Sequence, residues 1–327
     1  MEAFMSKNYK IVIDTEGSDK GAEMMLAGAA AALAKYPSLS VLLVGRREVI
    51  EAAVEAHNMP RERVEVLHAE DVITNYDSPA QAIFSKTDSS LVRALQALSE
   101  RDDLVGMLNA GSTGALLAGA VRYLSTPERT RPALAAVLPA PNGKFTCLVD
   151  TGATIDCPAS TLLHFARLGS EFMSTLYRRE APRVGLLSNG AEATKGNKVV
   201  KEAHALLAAA EDINFVGNIE GTRSLMGDCD VLVCDGFAGN QVLKVSECIA
   251  KRLITDMVVY SKKTGEENIM RLVGHLMGMY DFNSLGGGII LGIRKPVIKA
   301  HGAANEQSVV NTVGMLLNIA ENKEVFG

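Results

Sequence analysis

Small polar residues collect at the point where an apolar segment of the chain gives way to a helix. The segment Asn109-Ala-Gly-Ser-Thr-Gly114 follows the apolar run at residues 104–108. No bulky side chain stands at the junction itself, which consists of Gly111, Ser112, Thr113 and Gly114. The first N–H groups of a helix have no partner within the helix, and its aligned peptide dipoles favour an anion there. The segment therefore predicts a site for a phosphate-like anion.

Similar polar turns follow other apolar runs. They begin at Asp14, Asp150, Asn189, Asn218 and Asp235. One such turn alone is typical of any α/β protein, whereas a collection of them at one edge favours a binding site. Because the carboxyl ends of parallel strands meet at one edge of a sheet, we expect these turns to line one cleft. That cleft would offer carboxylates, amides, backbone N–H groups and the ammonium of Lys195.

Several standard catalytic motifs are absent from the sequence. There is no G-x-x-x-x-G-K-[ST] segment, which disfavours P-loop hydrolysis of nucleotides. There is no G-x-G-x-x-G after the first apolar run, which disfavours a dinucleotide cofactor. There is also no H-E-x-x-H zinc motif and no G-x-S-x-G nucleophile elbow. We therefore expect neither a metal ion nor a cofactor.

One histidine stands in a context typical of a functional site. His301 follows an apolar strand and the glycine-rich residues 286–292, which makes it a candidate site residue. Four others lie in helical or surface contexts and are interpreted as having no site role: His57, His68, His164 and His204.

Composition narrows the class of protein. The 327 residues are 47% hydrophobic, and the net charge of −5 disfavours broad nucleic-acid binding. Five cysteines without a C-x-x-C pair disfavour a disulfide framework and a zinc site. The first ten residues lack the apolar core of a signal peptide, and no apolar run is long enough to span a membrane. We therefore expect a cytoplasmic protein.

Apolar runs with strand character alternate with amphipathic helical segments along most of the chain. This alternation predicts parallel strands covered by helices on both faces, a three-layer α/β/α doubly wound sandwich. We expect one α/β domain of two lobes over residues 1–327. The predicted strands are residues 9–14, 39–44, 64–68, 104–108, 145–150, 184–188, 215–218 and 231–234.

Residues 241–282 break this alternation, because their apolar positions recur at helical spacing on both sides of a charged stretch at residues 262–267. The pattern predicts a helical hairpin that protrudes from the α/β domain. Its apolar faces suit an ordinary packed helix pair, a dimer contact or a membrane-surface element, and the sequence leaves these alternatives open.

The order of the polar segments resembles that of the phosphate acyltransferase family (PlsX type) of bacterial phospholipid synthesis. The resemblance spans nearly the whole chain. The segments that carry it are Lys86-Thr-Asp-Ser-Ser90, Ala110-Gly-Ser-Thr-Gly-Ala115, Arg131-Pro-Ala-Leu134, Asp150-Thr-Gly-Ala-Thr-Ile-Asp-Cys157, Lys195-Gly-Asn197, Gly217-Asn-Ile-Glu-Gly221, Val233-Cys-Asp-Gly-Phe-Ala-Gly-Asn240 and Val297-Ile-Lys-Ala-His-Gly302.

The resemblance implies a reaction in which a long-chain fatty acyl group moves from an acyl carrier protein thioester to inorganic phosphate, giving acyl phosphate. It also implies a homodimer, loose attachment to the inner membrane surface, and a fold similar to that of phosphotransacetylases and of isocitrate- and isopropylmalate-type dehydrogenases. An acidic carrier needs a local basic surface on a negatively charged chain. The candidates are Arg122, Arg129 and Arg131, or Lys251, Arg252, Lys262 and Lys263.

Roles for the site residues follow from the same resemblance. The backbone at Gly111–Gly114 would hold phosphate, Lys195 would neutralise its charge, and Asn240 or Asn218 would donate to the thioester carbonyl oxygen. His301 is a further catalytic candidate. The aspartates Asp14, Asp150 and Asp235 are expected to contribute to substrate binding.

Two alternatives remain open at this point. One is a phosphotransacetylase-like enzyme that uses a coenzyme A thioester as donor. The other is a non-catalytic relative that binds a partner or a membrane. Departures from the family pattern motivate the second alternative, because the opening turn is Asp14-Thr-Glu-Gly-Ser-Asp19 rather than Asp-Ala-Met-Gly-Gly-Asp, and Ala303-Ala304 replaces two serines.

Overall fold

The computed structural model describes residues 7–125, 131–280, 287–302 and 304–322, and all structural statements refer to these ranges. The strands found there are β1 (Tyr9–Asp14), β2 (Leu39–Gly45), β3 (Val64–His68), β4 (Leu104–Asn109), β5 (Ala133–Ala140), β6 (Lys144–Val149), β7 (Arg183–Ser188), β8 (Asn214–Glu220), β9 (Val231–Val233), β10 (Gly288–Leu291) and β11 (Val297–Lys299). The α-helices are α1 (Gly21–Lys35), α2 (Arg47–Ala56), α3 (Pro79–Ser85), α4 (Ser90–Glu100), α5 (Thr113–Leu124), α6 (Ala159–Tyr177), α7 (Lys198–Ala209), α8 (Gly236–Thr264), α9 (Glu267–Tyr280) and α10 (Glu306–Glu321).

The chain divides into two compact units. Unit 1 comprises Met1–Pro132 and Leu285–Gly327, and unit 2 comprises Ala133–Ser284. The strands of unit 1 lie in the order β3-β2-β1-β4-β11-β10, and those of unit 2 in the order β5-β6-β9-β7-β8. Each unit therefore has its own set of strand ends on which a site can be built.

Unit 1 is organised around β1, which pairs in parallel with β2 on one side and with β4 on the other. Its sequence Tyr-Lys-Ile-Val-Ile-Asp is buried except at Lys10, as expected for a parallel strand covered on both faces. Helices α4 and α10 of unit 1 begin at side-chain caps. Ser89 accepts the Val92 N–H at the start of α4, and Asn305 accepts the Ser308 N–H at the start of α10.

Unit 2 packs its helix α6 against the strands through two large side chains, Phe165 and Phe172, which are fully buried. The polar turns after β6, β7, β8 and β9 contain the residues expected to bind substrate. Because β6, β7, β8 and β9 are parallel, these turns lie at one edge of the sheet of unit 2.

The prediction of an α/β fold with helices around a central sheet is confirmed, and the eight predicted strands are present with ends shifted by two residues at most. The eight predicted strands pair in parallel wherever two of them are neighbours, as expected. The sheet also contains antiparallel pairs that were not predicted, since β5 pairs antiparallel with β6, and β10 with β11. The connection Pro141–Gly143 between β5 and β6 is too short for a parallel crossover. Strand β5 was not predicted, because Ala133–Ala140 is rich in alanine and contains a proline, although all eight residues are buried.

Helices α8 and α9 occupy the segment in which two helices were expected, and α8 begins at Gly236, before the predicted start. Gly265 ends α8 in the left-handed conformation, with φ at 74°. Residues 281 and 282 of the predicted hairpin lie outside the described residues. No helix of the described ranges combines the length and apolarity that a membrane crossing requires.

Candidate active site

In unit 1, the side chains of Asp14 and Asn109 meet at the carboxyl ends of the neighbouring strands β1 and β4. Asn109 Nδ2 donates to Asp14 Oδ2 at 2.8 Å, and Asn109 Oδ1 accepts the Gly111 N–H at 2.9 Å. The Glu16 N–H donates to the other Asp14 oxygen at 3.1 Å. Asn109 thus connects the turn after β1 to the turn after β4.

Burial controls the ionisation of Asp14, which is only 2% exposed. Loss of hydration raises the pKa of its carboxyl from 3.8 to about 6, although hydrogen bonds from the Ser90 hydroxyl, the Glu16 N–H and Asn109 oppose the rise. The negative charge of the neighbouring Glu16 carboxylate raises the pKa of Asp14 further. Asp14 therefore gains its charge close to neutral pH.

Two glycines let the turns after β1 and β4 approach each other closely. Gly17 has a φ of 78°, and a Cβ added there would lie 3.0 Å from the Gly111 Cα. A third segment joins them, because the Asp19 N–H donates to the Gly302 carbonyl at 3.2 Å, and the Ala300 N–H donates to the Asn109 carbonyl at 2.8 Å. The sequence did not reveal that these three segments pack backbone against backbone.

The start of helix α5 has unpaired backbone donors of the kind that the predicted anion site requires, with one exception at Gly111. Ser112 precedes the helix and makes no side-chain cap, so the N–H groups of Thr113 and Gly114 have no partner within the helix. The Gly111 N–H, predicted to bind phosphate, instead donates to Asn109 Oδ1. The available donors therefore start one residue or more after Gly111.

His301 lies just after β11 in the segment that contacts the turn after β1. His301 is exposed, and its backbone carbonyl accepts the Ala304 N–H at 2.9 Å. This location keeps His301 beside the candidate anion site of unit 1, while its catalytic role stays a prediction. Ala303 and Arg129, both named in the sequence analysis, lie outside the described residues.

In unit 2, backbone groups surround the carboxylate of Asp150. Its carboxylate is fully buried and accepts four backbone N–H groups, from Leu134 at 3.0 Å, Gly152 at 3.2 Å, Ala153 at 3.0 Å and Thr154 at 2.6 Å. Burial still raises the pKa of this carboxyl above its usual value. These four hydrogen bonds fix the conformation of the turn after β6, and a contact of Asp150 with substrate stays a prediction.

The residue types at the start of α8 are explained mainly by how this segment packs against the turn after β6. Asp235 Oδ1 accepts the Ala238 N–H at 2.7 Å as a helix cap, and the contact of this carboxylate with substrate stays a prediction. A Cβ at Gly236 would lie 2.8 Å from Asp150 Oδ2, and a Cβ at Gly239 would overlap the Asp150 carbonyl oxygen. Asn240 follows, half-buried, in the first turns of the helix.

The turn after β7 holds Lys195 on a backbone that is fixed at several points. The Lys195 N–H donates to the Glu192 carbonyl at 2.9 Å, and the Gly196 N–H donates to Asn189 Oδ1 at 2.8 Å. Asn197 then caps α7 by accepting the Val200 N–H at 2.9 Å. Lys195 is exposed, so its ammonium can reach an anion while the backbone of the turn stays fixed.

Asn218 is held inside unit 2 by two side-chain contacts. Its Nδ2 donates to the Glu192 carbonyl at 2.9 Å, and its Oδ1 lies 3.0 Å from His204 Nδ1. The amide nitrogen has a second N–H, and its donation to a thioester carbonyl stays a prediction. His204, which the sequence analysis set aside, belongs to the hydrogen-bonded network beneath Lys195, and no local sequence signal marks it.

Comparison of the sequence with known proteins identifies the family of this chain. The model of the family described as "Fatty acid synthesis protein" matches residues 9–324. The phosphate acyltransferase of Clostridium novyi (strain NT) is 35% identical over 319 residues, covering 96% of this chain and 95% of that protein. The chain belongs to the phosphate acyltransferase family. The phosphate acyltransferase of Halothermothrix orenii is 36% identical over 329 residues, covering 97% and 96% of the two chains. Membership in this family makes the chain an acyltransferase enzyme.

Solved structures of proteins with other names share the fold of this chain. EutD phosphotransacetylase from Staphylococcus aureus aligns with a TM-score of 0.63 at 16% identity, covering 96% of this chain and 94% of that one. A 4-hydroxythreonine-4-phosphate dehydrogenase from Klebsiella pneumoniae aligns with a TM-score of 0.55 at 14% identity, covering 96% and 100%. Both the predicted family and the predicted fold class are thereby confirmed.

The raised pKa of Asp14 predicts a specific pH dependence of stability. Because the folded state binds this proton more tightly than the unfolded state, the stabilisation is full below pH ~4 and is lost as the pH rises through ~6. The loss amounts to about 3 kcal/mol for a shift of about two pK units. In Asp14→Asn, urea unfolding should give a free energy that falls less between pH 4 and pH 7 than in the unmodified chain.

Asp19→Asn is the control, since it removes an exposed carboxylate from the same turn. The assignment of a titrating Asp14 fails if Asp14→Asn and the unmodified chain lose equal stability over this pH range.

Proposed function

We propose that the chain transfers a long-chain fatty acyl group from an acyl carrier protein thioester to inorganic phosphate, giving acyl phosphate for phospholipid synthesis. The observation that carries the proposal is the uncapped start of α5 in a phosphate acyltransferase family member, where backbone N–H groups face the site beside the Asp14–Asn109 pair. Such donors suit the oxygens of phosphate and need no metal ion to bind them.

The proposed reaction balances without a covalent enzyme intermediate. A phosphate oxygen attacks the thioester carbonyl carbon, the C–S bond breaks, and the thiolate leaves and takes up a proton. A thiol with a pKa of about 8.5 is already a good leaving group at neutral pH. The protein must therefore hold the two reactants together and stabilise the negative charge that forms on the carbonyl oxygen.

Three buried cysteines are unsuited to a covalent acyl intermediate, which favours direct attack by phosphate over attack by any of these three. Four cysteines are buried, namely Cys147, Cys157, Cys229 and Cys234. Burial raises the pKa of Cys147 and of Cys229 to about 12, and that of Cys234 well above its ordinary value. Because a cysteine attacks as the thiolate, these three thiols are unsuited to accept the acyl group.

The choice of donor is tested by supplying purified protein and phosphate with either long-chain acyl carrier protein or long-chain acyl-CoA. We expect thiol release that requires phosphate, faster with the carrier, together with acyl phosphate detected by mass. Faster release from acyl-CoA would favour a phosphotransacetylase-like enzyme, a reading supported by the shared fold. A folded protein that releases no thiol from either donor would contradict the proposal.

We propose in addition that Lys195, within unit 2, neutralises the charge of phosphate, because its ammonium is exposed on a turn with a fixed backbone. In Lys195→Ala, the KM for phosphate should rise about ten-fold or more, as expected from the loss of one ionic contact of about 1.5 kcal/mol. The measurement is steady-state thiol release at varied phosphate.

Lys198→Ala is the matched control, since that lysine is three residues away with a side chain that is 89% exposed. An equal KM in Lys195→Ala and in the unmodified enzyme would remove Lys195 from the site. The proposed roles of Asn240 and His301 can be examined in the same assay.

The homodimer is proposed to form through the exposed apolar residues of α8. Val245, Ile249 and Leu253 recur every four residues on one face, and each is more than half exposed. Charged pairs such as Arg252–Asp256 flank this stripe, which suits a protein surface as partner. Peripheral membrane contact is proposed for the end of α8, where Lys262 and Lys263 lie next to each other.

A double variant, Ile249→Asp with Leu253→Asp, should raise the dimer dissociation constant at least ten-fold, because it puts two charges into an apolar contact. Sedimentation equilibrium measures the effect, and Thr255→Asp adds a charge at an exposed position outside the stripe. Unchanged dimers in the double variant would exclude the stripe from the interface. A monomeric unmodified chain that binds anionic vesicles through these residues would assign the stripe to lipid.

A further inference from the structure

His204 lies within α7 in unit 2 and is half-buried. Its ring stands edge-on to Phe215, with 5.0 Å between the ring centroids and 78° between the planes. Its Nδ1 lies 3.0 Å from Oδ1 of Asn218, a residue that is 6% exposed. These two contacts hold the imidazole in one orientation.

The neighbouring hydrogen bond determines which nitrogen of His204 is protonated. Asn218 Nδ2 donates to the Glu192 carbonyl at 2.9 Å, so the other end of the amide, which faces His204, is the oxygen. An amide oxygen can only accept a hydrogen bond. His204 Nδ1 must therefore carry a proton and donate it to Asn218.

The Glu192 carbonyl connects this pair to Lys195. It accepts the Asn218 amide at 2.9 Å and also the Lys195 N–H at 2.9 Å. A continuous series of hydrogen bonds thus runs from His204 through Asn218 to the backbone of Lys195. Without the donation from His204, the Asn218 amide loses the contact that keeps its oxygen directed towards α7.

We propose that His204 is a positioning residue for Lys195. The inference rests on the proposed function, in which the Lys195 ammonium binds phosphate. His204 touches neither reactant, and it acts by orienting the Asn218 amide and hence the turn that carries Lys195. A side chain that binds an anion loses affinity when the groups that hold its backbone are loosened.

Two substitutions at His204 separate hydrogen bonding from packing. His204→Phe keeps an aromatic ring against Phe215 but removes the donor, and His204→Gln keeps an N–H donor. We expect the KM for phosphate to rise about five-fold in His204→Phe with kcat changed less than two-fold, the size expected for one lost hydrogen bond. His204→Gln should restore most of the loss. Unchanged urea midpoints confirm that both variants are folded.

A double variant tests whether His204 acts through Lys195. In the Lys195→Ala background, His204→Phe should raise the KM for phosphate no further, because the side chain being positioned is already gone. An equal rise in both backgrounds would show that His204 acts on something else, which overturns the inference.

The tautomer of His204 gives a readout that does not depend on activity. Nitrogen-15 NMR of the unmodified protein should show His204 protonated at Nδ1, and a ring protonated only at Nε2 would overturn the inference. If Lys195→Ala raises the KM for phosphate while His204→Phe does not, this inference fails and the proposed function stands. If Lys195→Ala has no effect, the proposed role of Lys195 fails, and the inference fails with it.

Discussion

The hydrogen bonds that two buried aspartates accept hold a turn at the strand ends of each unit. Asp14 takes an amide N–H and a backbone N–H in unit 1, and Asp150 takes four backbone N–H groups in unit 2. A buried carboxylate without such partners would cost several kcal/mol. Each turn is therefore bound to its aspartate, and the residues around it keep the conformation that this carboxylate requires.

This constraint changes how the polar motifs of the chain are interpreted. Asp150 and Asp235 look like ligand-binding residues in the sequence, but their oxygens accept backbone N–H groups inside the protein. Gly236 and Gly239 let the start of α8 pack against the Asp150 turn. The backbone at the start of α5 in unit 1 and the exposed ammonium of Lys195 in unit 2 each suit an anion, and both stay predicted substrate contacts.

The parts of the fold that the sequence predicts are those governed by local pattern. Continuous apolar runs such as β1 identify strands that are covered on both faces, and the apolar spacing after residue 241 identifies helices. Strand β5 was missed because it is stabilised by burial and by pairing with β6. Its alanine-rich sequence does not indicate a strand. Propensity is a weak guide where tertiary contacts decide the structure.

The candidate site could be predicted only as far as its residue types and their places at strand ends. Gly111 illustrates the limit. Its N–H donates to Asn109 Oδ1 and is therefore not available to an anion, and this depends on the orientation of the Asn109 amide. His204 illustrates it further, because its partner Asn218 is brought alongside only when α7 packs next to β8. Such contacts depend on three-dimensional packing that no spacing rule along the chain encodes.

Helix α8 has 29 residues without a break, which makes it a rod about 43 Å long at 1.5 Å per residue. Asn240 is carried near one end of this rod, and the apolar stripe around Ile249 lies further along it. Because both lie on one continuous helix, a contact that fixes the middle of α8 also restricts the rotation of the turn that carries Asn240. If the proposed dimer forms through this stripe, it would therefore restrict the orientation of that amide as well.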